Sequence, residues 1–463
     1  MTINSLNFDA QELREKILDL AMRGKLVKQD PNDEPASILL KKIAQEKEQL
    51  IKEKKIKKPK PLPEITDEEK PFDIPDSWEW VRFGQLFTVS SGKQLRKKDL
   101  EDSGEYPVYG ANGKIGLYSK FNITESSLLI GRVGSVGCIN ISPKFSWVTD
   151  NVLIVKQFSN LNKNFLFYLL MFSNIQKFAS RTSQPVISGE KIYRIVVPLP
   201  PLEEQSRIAD KVAQLFALLR KVESSTNQYV ELQQLLNNKV LDLAMQGKLV
   251  EQRDDEEPAS VLLKKIRAEK AELIKEKKIK KTRPLPEITD EEKPFDIPDS
   301  WEWVRLGEVT TLGNSTSVSP NQIEKNTPII ELKDIESKSG KLINLEYANP
   351  VEIKSNKYSF KKGNLLFNKL RPYLKKIILA DFDGICTTEL LPFDTFYSYN
   401  FYLYYILFSQ LIFKQIEKEM QGINLPRITP TKLKKVILPL PPLNEQKRIV
   451  NKVKELLSLL SNE

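Results

Sequence analysis

The sequence predicts two α/β domains mounted on long coiled-coil helices, the whole chain being a cyclic internal repeat. Three observations carry that prediction. Blocks of sequence return at fixed shifts. The apolar residues of some blocks step by three and four, the period of a helical seam. The segments between the blocks mix strand-like and helix-like runs and differ from one another. A length of 463 residues agrees with two or three domains.

The repeat decides the architecture. LDLAMRGKLV at Leu18–Val27 returns as LDLAMQGKLV at Leu241–Val250, a shift of 223 positions. The same shift carries LIKEKKIKK at Leu50–Lys58 onto Leu273–Lys281, and Pro61–Arg82 onto Pro284–Arg305 without a change. A second shift, of 241, carries PLPPLEEQSRIADKV at Pro198–Val212 onto PLPPLNEQKRIVNKV at Pro439–Val453. The order is therefore helix end, arm, variable region, helix start, and then the same four again. The two chain ends together would rebuild what the middle contains in one piece.

Element by element, residues 1–28 read as a conserved helix and 29–75 as a basic helical arm. Residues 76–200 form the first variable domain, 201–250 a central conserved helix and 251–298 the second arm. Residues 299–441 form the second variable domain, and 442–463 a C-terminal conserved helix. The central seam is Ile208, Val212, Leu215, Leu219 and Val222, continued by Leu236, Val240 and Leu243. Ile449, Val453, Leu456 and Leu460 repeat it at the C-terminus, and Leu13, Ile17 and Leu20 at the N-terminus. Pro200–Pro201 and Pro441–Pro442 suit helix starts. Gly24 and Gly247 suit C-terminal caps. The arms hold nine lysines against three glutamates over Lys41–Lys60, and ten cations against three over Lys264–Arg283. A basic helix facing phosphate or an acidic protein fits these arms; so does a solvated face laced with Glu–Lys pairs. Trp78-Glu79-Trp80 and Trp301-Glu302-Trp303 then anchor the next domain's core.

Each variable region opens on one strand (Val81–Val89; Val304–Leu312). Region one continues with a hairpin around Asn112-Gly113 and two strands flanking Arg132–Gly137. Region two fills the same slot with strands flanking Asn368–Lys375. An aromatic helix follows (Asn164–Phe178; Asn400–Ile416), then a turn and a last strand. The loops carry groups that pair with base edges: arginine and lysine with guanine, asparagine and glutamine with adenine. Region one offers Lys93, Gln94, Arg96, Lys97, Asn112, Lys114, Arg132, Ser135, Arg181 and Gln184. Region two offers Asn314, Lys333, Asn368, Lys369, Arg371, Tyr373, Lys375, Gln421, Asn424 and Arg427. Arg132 and Arg371 lead, since both stand in the strand–loop–strand slot.

Composition and motifs exclude much else. There is no histidine, hence no Ser-His-Asp or Cys-His catalysis and no histidine metal site. Two distant cysteines, Cys138 and Cys386, argue against a disulfide framework and a zinc cluster. No apolar run spans a bilayer, and the first residues lack a signal region, so a cytoplasmic location is expected. A net charge of +10 suits a polyanionic partner. Gly131-x-x-Gly134-x-x-Gly137 lacks the Walker lysine and reads as a turn. No Asn/Asp-Pro-Pro-Tyr/Phe methyltransferase motif and no short-spaced nuclease core occurs, so no catalytic residue is assigned.

The recurring PLPPLxEQxRI, LDLAMxGKLV and EKPFDIPDSWEWVR blocks, in cyclic order, resemble the specificity (S) subunit of type I restriction-modification systems over the whole chain. The resemblance implies two target-recognition domains, each reading half of a split DNA site. It implies an antiparallel coiled coil made by the repeated helices, and no catalytic site or cofactor in this chain. It also implies assembly with two methyltransferase (M) subunits that use S-adenosylmethionine and with restriction (R) subunits that use ATP and magnesium. A circular inverted repeat gives a pseudo-two-fold axis, which suits a bipartite, non-palindromic site with an unread spacer. The alternatives are a stand-alone DNA-modifying or DNA-cleaving enzyme, and a coiled-coil adaptor without sequence preference.

Overall fold

The computed structural model describes residues 9–158, 160–180, 185–422 and 424–461. The chain divides into two compact units, and the boundary falls between Thr226 and Asn227, inside one 44-residue helix, Leu202–Met245. Among the described residues no helix is long and apolar enough to cross a membrane.

In the first unit, Asp9 caps the helix Ala10–Met22 by accepting from the Gln11 and Glu12 amides. That helix lies antiparallel to the first half of the central helix. Arg14 pairs with Glu223 at one end, and Gln29, just past the helix, reaches Glu204 at the other. The strand Glu79–Arg82 pairs with Val196–Leu199, so the domain's first and last strands meet at the frame. Four antiparallel strands follow in the order Phe87–Ser91, Val152–Gln157, Leu128–Gly131, Ile139–Ile141. A three-stranded sheet holds the hairpin Tyr106–Gly110 and Gly113–Tyr118, with Trp147–Val148 at its other edge.

The second unit repeats the frame with the opposite chain end. The helix Leu443–Ser461 lies antiparallel to the second half of the central helix, with the Gln233 amide on the Leu460 carbonyl. Glu302–Arg305 pairs with Ile437–Leu440. The sheets inside differ from those of the first unit. Five strands run Thr316–Val318, Lys357–Phe360, Gly384–Thr387, Pro328–Ile330, Glu346–Tyr347, and three run Ile377–Leu379, Leu365–Asn368, Leu390–Phe393.

One polar lock, built twice, fixes frame to domain. Trp78 is buried, and its indole donates to the Glu204 carboxylate at 2.9 Å; the Gln29 amide donates to the other oxygen at 2.6 Å. Trp301, Glu445 and Gln252 repeat this at 2.8 and 2.5 Å. Burial pushes both carboxyl groups above their ordinary range, and these hydrogen bonds oppose the shift. Arg207 pairs with Asp33, and Arg448 with Glu256. The buried Arg82 fans out onto the Pro63, Glu64 and Arg194 carbonyls and the Glu69 carboxylate. Arg305 does the same with Pro286, Glu287, Lys435 and Glu292.

Three local expectations are corrected. The opening strand is not continuous: a helical turn, Phe83–Leu86 or Leu306–Val309, interrupts it. The glutamine or glutamate at its third position folds back onto the Arg82 or Arg305 amide and starts that turn. The aromatic helices are shorter or broken: Lys163–Phe172 is followed by a 3-10 turn, and Asn400–Ile406 is separated from Gln410–Glu419. The seam in the LDLAM blocks is displaced by a residue. Leu18, Ala21 and Met22 are buried while Leu13 is exposed, and Leu241, Ala244 and Met245 repeat the pattern. Leu18, Ala21 and Met22 belong to the core cluster that also holds Leu39 and Ile43 of the arm helix, Trp78, and Leu166 and Leu169 of the aromatic helix, so the buried stripe is turned towards the domain core. Val222 and Leu236, two further positions of the expected seam, are exposed.

Candidate nucleic-acid interface

In the first unit the loop after Leu128–Gly131 is held from three sides. The Arg132 amide donates to the Asn151 carbonyl, and the Arg132 carbonyl accepts from the Ile187 amide. Val133 bridges Val186. Gly131 permits the approach of the hairpin, since a Cβ there would stand 2.2 Å from the Ser135 carbonyl and 2.7 Å from that of Ala111. The result is an open groove of about 420 Å³, lined among others by Arg96, Lys97, Ala111, Val133, Thr149 and Asn151. The structure thus brings Arg96 and Lys97 to the Arg132 loop, with Asn112 at the adjoining hairpin turn.

Arg132 is half-buried, and one of its terminal nitrogens donates to the Ser91 hydroxyl at 3.2 Å. Its Nε and the hydroxyl of Thr149 are buried without a hydrogen-bond partner among the described residues. Unpartnered polar atoms beside a basic groove are the chemistry a base or phosphate edge would satisfy. Ser135 lies in the same loop, half-buried. Lys93, Gln94 and Lys114 are exposed; Lys93 borders a second depression with Ser91, Asn122 and Lys163. Arg181 and Gln184 lie outside the described residues.

In the second unit, two loops zip together. The Arg371 amide donates to the Pro426 carbonyl at 2.7 Å, Gln421 and Arg427 exchange backbone hydrogen bonds, and the Ile428 amide donates to the Lys369 carbonyl. Lys369, Arg371, Gln421, Asn424 and Arg427 therefore gather in one patch, with Tyr373 exposed beside Arg371. Arg427 reaches the Glu389 carboxylate at 3.4 Å, and the other Glu389 oxygen is buried without a partner among the described residues. Lys333 is paired with Glu346 at 2.6 Å. Asn314 donates to the Thr311 carbonyl and accepts from the Lys280 amide.

Two candidates face inwards. Asn368 is fully buried; its amide donates to the Leu370 and Arg371 carbonyls and its oxygen accepts from the Lys376 amide. It shapes the loop, and no base edge reaches it. Lys375 sits at φ +48°, donates to the Phe408 carbonyl, and lies 4.2 Å from the Phe413 ring centre. Burial pulls its ammonium down to about 8. The pairing of Arg132 with Arg371 is also corrected. The bond from Ile187 to Arg132 is matched by the bond from Ile428 to Lys369, and the Val133 bridge by the Leu370 bridge. Lys369 is thus the counterpart of Arg132, and Arg371 stands two residues further on, exposed at φ +51°. Thr149, Asn151 and Glu389 were not singled out from sequence. The polar triplet Thr149-Asp150-Asn151 between two apolar strands was the available signal.

Residues 75–232 and 298–463 match the type I restriction modification DNA specificity domain. The chain is 32% identical to the EcoAI type I restriction enzyme specificity subunit of Escherichia coli, with 97% of this chain and 89% of that protein covered. It is 30% identical to the EcoEI specificity subunit of the same species, over 79% and 73% of the two chains. A solved structure described under complex assembly and conformational transition of the type I R-M system superposes with a TM-score of 0.52 at 21% identity, covering 85% and 93% of the chains. With two matched domains spanning most of its length, the chain belongs to the type I restriction-modification DNA specificity family.

Proposed function

We infer that this protein is the DNA sequence-recognition subunit of a type I restriction-modification complex. Each target-recognition domain reads one half of a bipartite, non-palindromic site. The helices scaffold two methyltransferase subunits, to which restriction subunits add in the cytoplasm. The chain performs no catalysis; S-adenosylmethionine, ATP and magnesium belong to the partners. One observation carries this reading: the same lock, position for position, holds two domains whose exposed loops differ. Arg132 with Arg96 and Lys97 in one unit answers to Lys369, Arg371 and Arg427 in the other. A fixed frame with unlike readers suits a site of two unlike halves.

The test exchanges residues 83–197 for those of a relative and maps methylated adenines across a genome carrying the partner genes. One half of the methylated motif should change and the other stay. A change in both halves, or none, overturns modular reading.

A further inference from the structure

We propose that the two lysine-rich tracts that follow the arm helices, Lys52–Lys60 and Lys275–Arg283, are sequence-independent clamps on the DNA phosphate backbone. This rests on the DNA-recognition reading above and adds a contact outside the recognition loops.

Each tract carries six cations against one glutamate, and every one of those cations is exposed. Intramolecular pairing leaves most of this charge free. Lys55 pairs with Glu53, Lys60 with Glu190 and Lys278 with Glu276. Lys54, Lys57, Lys58, Lys277, Lys280 and Lys281 form no ion pair among the described residues. The solvated face balanced by Glu–Lys pairs, which the sequence left open, therefore holds for the arm helices, where Lys42 pairs with Glu34 and Lys265 with Glu257, and fails for the tracts.

The tracts are also built to one shape. The arm helices Ala36–Lys52 and Ala259–Lys275 end in the same turn. Lys55 and Ile56 both donate to the Leu50 carbonyl, and Lys278 and Ile279 to that of Leu273. Lys54 and Lys277 take the left-handed position, at φ +54° and +57°, where a helix ending usually places glycine. A cation is thus held at a position that disfavours it. Ile56 and Ile279 pack against the cores of their units and pin each tract down. In the second unit the Lys280 amide donates to Asn314 at 2.9 Å, so the tract lies against the turn that opens the recognition domain.

Duplication decides what the partner is. The tracts keep the sequence LIKEKKIKK in both units, while the recognition loops beside them differ. Two unlike half-sites share their phosphates and nothing in their base edges. Free, projecting ammonium groups suit phosphate, and a row of them without interleaved apolar residues on the surface does not suit a packed protein interface.

The test uses the full-length chain with its methyltransferase partners and a labelled mixed-sequence duplex, beside a duplex carrying the methylated motif. Two triple variants are compared with the parent: Lys54→Gln, Lys57→Gln, Lys58→Gln, and Lys277→Gln, Lys280→Gln, Lys281→Gln. Losing three phosphate contacts should flatten the slope of log affinity against log salt by about 2.7. Affinity should fall on the order of tenfold to a hundredfold at physiological salt on both duplexes alike, with the methylated motif unchanged. An unchanged slope in complexes that still assemble overturns the clamp. Loss of assembly by size-exclusion chromatography, with a normal slope in whatever complex forms, overturns it in favour of a protein-docking role. If the parent complex shows no preference between the duplexes, it is the recognition reading that fails, independently of the slopes.

Discussion

Replacing Trp78 by phenylalanine isolates one bond of the lock. Trp78 is 3% exposed, and its indole is the donor to a carboxylate that burial already penalises. A hydrogen bond to a charged group contributes about 1.5–3 kcal/mol. The lost ring volume adds about 1 kcal/mol at a site this enclosed. The expected loss is about 2.5–4 kcal/mol, or roughly 5–15 °C in the melting of a unit of this size. Amide hydrogen exchange should place the loss in residues 5–226, and Trp301→Phe should place it in the other unit. The sign with pH follows from the carboxyl. Without the indole, the folded-state pKa of Glu204 rises further above its ordinary value of 4.5. Its penalty is full above that folded value, and shrinks as the pH falls through it, because the folded form then takes up the proton. The deficit of Trp78→Phe should therefore narrow in chemical denaturation at about pH 5 compared with pH 7. An equal deficit at both pH values would mean that only packing was lost. A deficit under about 1 kcal/mol at pH 7 would refute the lock itself.

Arg132→Ala and Lys369→Ala should each cost about 1–3 kcal/mol and relax preference at one base position, whereas Lys97→Ala should weaken all sequences alike and flatten the salt slope by about one; titrations on single-base variants of the site decide, and uniform losses from the first two would move them to the backbone. Lys375→Met should leave DNA affinity and salt slope unchanged, and should hold or raise the melting temperature at pH 7, since a half-buried cation with a depressed pKa of about 8 penalises the fold below that pH; weakened binding would return Lys375 to the interface. Inserting four residues between Ser224 and Ser225 adds about 6 Å of helix, and the methylated motif should keep both halves while its spacer lengthens.

The frame was legible in the sequence because repetition marks it. The cyclic order predicted that Leu18–Val27 and Leu443–Ser461 would each meet a different half of Leu202–Met245, as they do. The buried stripe was misplaced by one residue because a heptad template counts one facing helix, whereas Ala21 and Met22 also join the core of the domain. In the interface, Arg132 and Arg371 were singled out because both stand in the strand–loop–strand slot, which fixes the loop but not the position within it. The true register is set by backbone hydrogen bonds from Ile187 and Ile428, which leave no trace in side-chain identity. Asn368 and Lys375 carry the same chemistry as exposed readers. Only the carbonyls they meet, those of Leu370, Arg371 and Phe408, show that their hydrogen bonds are already used.

The lock has an evolutionary corollary. Trp78, Gln29, Asp33, Arg82 and Glu69 precede the exchangeable stretch 83–197, and Glu204 and Arg207 follow it. All of these lie outside that stretch, and the lock's own bond into it goes to a main-chain carbonyl, Arg194 in one unit and Lys435 in the other. A main-chain carbonyl is supplied by any residue. A cassette that keeps its end strands can therefore be exchanged by recombination between flanking homologous stretches without disturbing a side chain of the lock. The identical amino-acid stretches Pro61–Arg82 and Pro284–Arg305 mark where such crossovers would leave the frame unchanged. New specificities can arise by shuffling whole readers, while point changes within the loops refine them.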